Sequence, residues 1–204
     1  MNYKSKSNDS FNSRLRFYLF KVALAGTAVR KEEFLAFDID VHTHREYVDL
    51  YTTEYQQYDV DHKVSKYNNA NLNNQKLYAK MDSLKKSNLA ETDLWKADYF
   101  KLVFTSKLKE QDFKSFEKDE NCGYCKTSIL TIREMMKSNK IFKKNERGYN
   151  LELDRKDPNM EYSTQNCIMA CYWCNNAKTD EFNADEFEPI GEAIGKVFKK
   201  RENQ

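Results

Sequence analysis

Cys122-Gly123-Tyr124-Cys125 and Cys171-Tyr172-Trp173-Cys174 frame the part of the chain that decides its fold. Between them run Leu151-Glu152-Leu153-Asp154-Arg155, then Tyr162, then Asn166-Cys167-Ile168-Met169-Ala170, and Asn175-Asn176-Ala177-Lys178 follows the second pair at once. Two residues between cysteines let both thiolates reach one ion from a single tight turn. Four thiolates close a tetrahedral zinc site and leave no position for substrate, so the zinc is structural. One CxxC alone would fit a redox motif as well; two of them with a further motif between point to metal. Because the ligands are not preorganised in the unfolded chain, metal binding and folding are one event. Cys167, the fifth cysteine, reads as a small buried apolar residue on a strand.

The local patterns around this frame agree. Tyr149, Leu151 and Leu153 alternate with polar residues, which predicts a strand. Pro158 and Asn159 mark a turn. Ile168 to Ala170 is a short apolar run, and the second CxxC opens or lies in a helix. Asp112 to Lys118 reads as a short helix leading into the cysteine site. Upstream, Leu15, Tyr18, Leu19 and Val22 recur at helical spacing over Phe11 to Ala25, with Gly26 as the stop. Further helices are expected within Arg45 to Tyr58, over Leu72 to Leu84 and over Asp93 to Phe104, the last through Leu94, Trp95, Tyr99 and Leu102. Asn68 to Asn74 reads as a loop or cap. Residues 1–10, rich in Ser, Asn and Lys, are expected to be a disordered tail. With only 2 Pro and 5 Gly in 204 residues, the chain suits a mainly helical protein.

Composition narrows the class. Charged residues make up 32% and apolar ones 40%, but 13 Tyr, 13 Phe and 2 Trp supply enough ring area to build a core. The chain therefore folds and is not disordered. A net charge of +2 does not announce a nucleic-acid binder, so any basic surface must be local. Lys196, Lys199, Lys200 and Arg201 form one such excess, with the face of a solvated helix. Phe17 to Ala25 is apolar but short of the roughly 20 residues a bilayer needs, and Lys21 interrupts it. No signal peptide is read there, so the chain is expected to be cytoplasmic with no membrane partner, where CxxC spacing means metal more often than disulfide.

The residues from about Asn121 to Lys178 resemble the HNH (ββα-metal) endonuclease superfamily, in its four-cysteine zinc branch. The shared pattern is Leu153-Asp154-Arg155, Tyr162, Asn166, then Cys171, Cys174, Asn175 and Lys178. The resemblance implies a fold of class α+β, mainly α. An N-terminal helical region of unknown role (11–108) precedes a zinc-stapled ββα-metal core (109–204), in which a β-hairpin and helix grip one catalytic Mg²⁺ or Mn²⁺. It implies that Cys122, Cys125, Cys171 and Cys174 hold structural zinc and that Asp154 and Asn175 hold the catalytic ion, which favours oxygen ligands and keeps several waters. It further implies that Asn166 ties the hairpin loop to the backbone and that Lys178 faces the phosphate or stabilises the charged transition state.

Most members of the superfamily place a His after the strand Asp. Here Arg155 stands in that place. An arginine stays protonated and cannot be the general base, but its fork matches two phosphate oxygens. The base is left among Asp157, Tyr149 and Tyr162 in the core, and His42, His44 and His62 outside it. Asp38 to His44 alternates like a strand that would gather two carboxylates and two imidazoles; the stronger helical signal after it favours Asp40 as a helix cap. Tyr47, Tyr51, Tyr55 and Tyr58 read as a packed helix face before they read as base-stacking rings. The leading functional expectation is a metal-dependent endonuclease on double-stranded DNA, of restriction, phage or mobile-element type, with homodimers as one route to cutting both strands. An inert zinc module that binds nucleic acid or protein, and a junction or RNA nuclease on the same core, are the alternatives.

Overall fold

The computed structural model describes residues 2–37, 79, 82–142, 147–158 and 160–204. The histidines, Tyr47 to Tyr58, Asn68 to Asn74 and the helix expected at Arg45 to Tyr58 lie outside them. The chain divides into two compact units, one of residues 4–106 and one of residues 1–3 with 107–204. The described architecture is mainly helical with one two-stranded sheet.

In the first unit, α1 (Tyr3–Ala25) carries Phe11, Leu15, Tyr18, Leu19 and Val22 on its buried face, as the spacing predicts. The helix takes in residues 3–10, where fraying is expected from composition. The reason is visible in packing: Ser7 and Ser10 are buried, and the Ser10 hydroxyl accepts from the Tyr99 hydroxyl at 2.7 Å. Gly26, at φ +66°, ends the helix in the left-handed conformation glycine tolerates.

α2 (Lys31–Ala36) and α3 (Leu89–Tyr99) complete the ring cluster. Phe34 meets Phe11 at 5.2 Å and Trp95 at 5.4 Å between centroids. Arg14 is buried among these rings, and its guanidinium donates to the Phe34 and Leu35 carbonyls at 2.9 and 2.8 Å. Those carbonyls lie in the last turn of a helix, where intrahelical donors run out.

The helix expected over Asp93 to Phe104 starts earlier and changes pitch. α3 is followed by a π-helical turn (Phe100–Phe104), in which the Thr105 N–H reaches the Phe100 carbonyl. In α3, Thr92, Trp95 and Tyr99 form the buried stripe and leave Leu94 exposed, and the wider turn after it buries Phe104 and leaves Leu102 exposed, against the sequence expectation for both leucines. Of the helix expected over Leu72 to Leu84, residues 82–84 lie in a helical segment that runs to 87.

In the second unit, α4 (Glu110–Phe116) leads to the first cysteine turn. A single bridge between Asn121 and Ser128 closes that turn, and Ser128 then caps α5 (Ile129–Lys137) by accepting from the Thr131 N–H. β1 (Glu152–Arg155) pairs antiparallel with β2 (Cys167–Ala170) in the register Glu152↔Ala170 to Arg155↔Cys167. Leu151, Leu153, Cys167 and Met169 are buried. α6 (Tyr172–Lys178) starts at the Cys171 cap and packs on β1. α7 (Ala184–Glu202) opens with a capping box between Asn183 and Glu186. No helix among the described residues is long and apolar enough to cross a membrane.

Candidate metal centre and hairpin–helix site

The four cysteines converge. Their sulfurs lie within 4.8 Å of one another and all four residues are buried. Cys125 Sγ and Cys171 Sγ are 3.8 Å apart, close to the edge of a tetrahedron with metal–sulfur bonds of about 2.3 Å. The Cys171 backbone N–H donates to Cys122 Sγ at 3.2 Å, a bond that favours the thiolate. Packed this closely, the Cys122 and Cys125 sulfurs push Cys171 and Cys174 well above the ordinary thiol range. A central dication would relieve that conflict, because it binds all four as thiolates. The donor set fits a structural metal.

The cluster fixes three pieces of chain. Cys122 and Cys125 sit on a turn whose Gly123 N–H donates to the Met169 carbonyl at 2.7 Å, which ties the turn to β2. Cys171 follows β2 as the cap of α6, and Cys174 lies on α6 beside Asn175.

β1 presents Glu152 and Asp154 on the side opposite Leu153, because strand side chains alternate. Asp154 Oδ2 accepts from the Tyr124 hydroxyl at 2.8 Å and lies 3.4 Å from Lys178 Nζ. Burial raises its pKa above the ordinary aspartate value, and Lys178 and Tyr124 oppose that rise. Glu152 accepts from Asn175 Nδ2 at 2.6 Å and from Arg147 Nε at 2.8 Å. Asn175 and Lys178 are three apart on α6, so the two pairs, Glu152 with Asn175 and Asp154 with Lys178, form adjoining rungs between strand and helix.

Lys178 lies inside the unit. It is fully buried, and its ammonium donates to the Arg155 carbonyl at 2.8 Å. It follows the buried Cys174 by four residues, which puts it on the inward stripe of the helix beside Asp154. Arg155 lies over the Tyr162 ring at 5.4 Å and donates to the exposed Asp180 at 3.2 Å. Asn166 is buried at the hairpin loop. Its amide donates to the Asp157 and Glu161 carbonyls at 3.0 Å each, and its oxygen accepts from the Asp157 N–H at 2.8 Å.

Tyr124 and Glu152 are the two site residues that sequence reading does not single out. Tyr124 stands inside a CxxC and reads there as spacer. Its ring meets Phe187 of α7 at 5.1 Å, and burial, with the Asp154 charge beside it, keeps the phenol protonated far above its ordinary range. Tyr149, weighed as a base, is half exposed, and its carbonyl accepts from Arg133.

β1, β2, the helix α6 packed on β1 and the four converging cysteines together make up one strand–strand–helix site. Among solved structures, the chain is similar to the rare-cutting HNH restriction endonuclease PacI at 35% sequence identity, with a TM-score of 0.35; the match covers 42% of this chain and 58% of that one. No family model matches the chain, and no curated protein matches it either.

Proposed function

We propose that this protein is a metal-dependent phosphodiester endonuclease acting on DNA, with structural zinc on the four cysteines and Mg²⁺ or Mn²⁺ held by Asp154 and Asn175. The observation that carries the reading is the two adjoining strand–helix pairs, Glu152 with Asn175 and Asp154 with Lys178, which set Asp154 on β1 and Asn175 on α6 beside the cysteine cluster. Tyr124 and Lys178 both engage Asp154 Oδ2, so Oδ1 is the oxygen that no side chain engages among the described residues. A carboxylate with an amide carbonyl suits a hard cation.

Once bound, such an ion polarises a phosphoryl oxygen and lowers the pKa of its water. The chain's own groups do the rest. Tyr124 and Lys178 hold the Asp154 carboxylate in place. Arg155 holds a phosphate by exchanging Asp180 for it, because an exposed ion pair of that kind is weak. Asn166 keeps the loop next to Arg155 from moving. One core carries one such site, so cutting both strands calls for two copies or two encounters.

A second reading, an inert zinc module, draws on the Lys178–Asp154 pair, since the ammonium already offsets the carboxylate without a divalent ion. Purified protein incubated with supercoiled plasmid, Mg²⁺ or Mn²⁺, and then EDTA separates the two. The nuclease reading expects nicking or linearisation that EDTA stops and that Asp154→Ala abolishes with zinc content unchanged. An Asp154→Ala protein that cuts at the parental rate would remove Asp154 from the mechanism, and a parental protein that never cuts leaves the inert module.

A further inference from the structure

Asparagine binds a hard cation only through Oδ1, and its side chain has two ends that differ by half a turn about χ2. The end that faces the ion is decided by what the other end touches. Here the partner of Asn175 is Glu152 Oε2 at 2.6 Å. Glu152 is itself clamped by Arg147, whose Nε donates to Oε1 at 2.8 Å and whose Nη2 donates to Oε2. A carboxylate held by a guanidinium only accepts hydrogen bonds. The atom of Asn175 against it must therefore be Nδ2, which turns Oδ1 the other way. Among the described residues Asn175 has no other side-chain hydrogen bond.

The clamp is anchored at its far end as well. The Arg147 guanidinium lies 5.2 Å over the ring of Tyr172, the first residue of α6. One row of contacts thus runs from the start of the helix, through Arg147 and Glu152, back to the helix at Asn175. It ties strand and helix together at the rung next to Asp154.

We infer that Glu152 is a positioning residue that sets the amide of Asn175 in its ion-binding orientation, with Arg147 holding Glu152 for the task. The inference rests on the reading of Asp154 and Asn175 as the ion's ligands. It gives Glu152 no bond to the ion, although Glu152 is an acid on the same strand face as Asp154. Outer groups of this kind change metal affinity by about 10–100-fold when removed.

The test measures Mn²⁺ binding to the full-length protein by electron paramagnetic resonance, with zinc content and circular dichroism recorded for every variant. Glu152→Ala should weaken Mn²⁺ binding by about 10–100-fold. Glu152→Gln should keep more of the parental affinity than Glu152→Ala, since its amide oxygen still accepts from Asn175 while its amide nitrogen gives up one of the two Arg147 bonds. Asn175→Asp offers two equivalent oxygens and needs no orienting, so adding Glu152→Ala to it should cost nothing and should relieve the repulsion between the two carboxylates. If Glu152→Gln loses as much as Glu152→Ala, then Glu152 is a ligand and the inference is wrong. It is equally wrong if Glu152→Ala weakens the Asn175→Asp protein as much as the parent. Unchanged Mn²⁺ binding in Asp154→Ala would instead strike the ligand reading beneath it, and that result is distinguishable from the other two.

Discussion

Tyr124, inside the first CxxC, donates its hydroxyl to Asp154 Oδ2 at 2.8 Å, thirty residues along the chain. A turn that serves the cysteine cluster thereby also holds the candidate catalytic carboxylate. Tyr124→Phe removes one hydrogen bond to a charged acceptor, a contribution of about 1.5–3 kcal/mol. If the bond serves to place Asp154 for cutting, cleavage should slow by roughly 10–100-fold while zinc content is unchanged, since 1.4 kcal/mol is a factor of ten. Single-turnover cleavage with elemental analysis of the same sample checks it; a Phe variant that cuts normally would make the contact incidental.

The cysteine cluster should be worth more than the stability of the unit it staples. Structural zinc binds with an apparent free energy of about 10–16 kcal/mol in small domains, against a total stability of about 5–15 kcal/mol for a typical domain. Cys174→Ser should therefore lose the metal and unfold the hairpin–helix region. Elemental analysis together with thermal denaturation reads both. A Ser variant that keeps its melting transition without zinc would show that the hydrophobic contacts suffice.

Lys178 is fully buried beside Asp154, so Lys178→Met should be primarily a stability variant. Breaking a buried ion pair by removing one partner costs about 3–5 kcal/mol, because it strands the other charge. The Asp154 side chain keeps 14% exposure, which argues for the lower end. Urea denaturation of zinc-loaded protein gives the answer. A Lys178→Met protein as stable as the parent but slow to cut would return Lys178 to the phosphate.

The sequence shows the cysteine frame, the two strands and the buried stripe of α1 because each depends on local spacing. Leu15, Tyr18, Leu19 and Val22 are all buried, and the second CxxC does open a helix. The misses have physical causes. The π-helical turn at Phe100 shifts the phase of the helix by one residue, which a fixed period of 3.6 cannot anticipate. α5 has a legible start, Ser128 before Ile129, with Ile132 and Met135 at helical spacing, but it falls between motifs that drew the reading elsewhere. The Glu152–Asn175 and Tyr124–Asp154 contacts are set by strand register and turn direction, which no local pattern encodes.

In the N-terminal unit, the buried Tyr18 hydroxyl donates to the Arg30 carbonyl at 3.0 Å and accepts from the Arg30 N–H at 2.8 Å. Burial raises its pKa above the ordinary tyrosine value, against the opposing Arg30 hydrogen bond. The folded state therefore holds this proton more tightly than the unfolded one. The resulting stability is fully present below the ordinary tyrosine pKa of about 10 and is lost as pH rises through the raised value. Tyr18→Phe should cost about 1–3 kcal/mol at neutral pH by stranding the Arg30 N–H, while the Arg30 carbonyl still accepts from the Phe34 N–H, and the gap to the parent should narrow above about pH 10. Denaturation curves at the two pH values decide it; a gap that stays constant would show that Tyr18 does not titrate in this range.

Gly191 and Gly195 let α7 approach the cysteine turn, and the two differ in what they meet. A Cβ on Gly195 would lie 2.4 Å from the Cys125 carbonyl oxygen, and one on Gly191 would lie 2.8 Å from the Tyr124 Cβ. The Cys125 oxygen is backbone, on a turn pinned by two of the four cysteines, so it cannot give way cheaply. Alanine is the better helix former by about 1 kcal/mol, which works against the clash. Overpacking of this kind costs about 1–3 kcal/mol, and contact with pinned backbone puts Gly195→Ala at the upper end, so the net effect should be destabilising. Gly123→Ala makes a useful comparison. Its Cβ would meet Ile168 Cδ1 and Cγ1 at 2.3 Å, an equally close approach but to a side chain, with the Met169 carbonyl oxygen farther off at 3.2 Å. The expected order is therefore a larger loss for Gly195→Ala than for Gly123→Ala, read as urea midpoints of the zinc-loaded proteins. The reverse order would mean that the cysteine turn yields more easily than the Ile168 side chain, and that the cluster does not hold its backbone as rigidly as four metal-bound thiolates should.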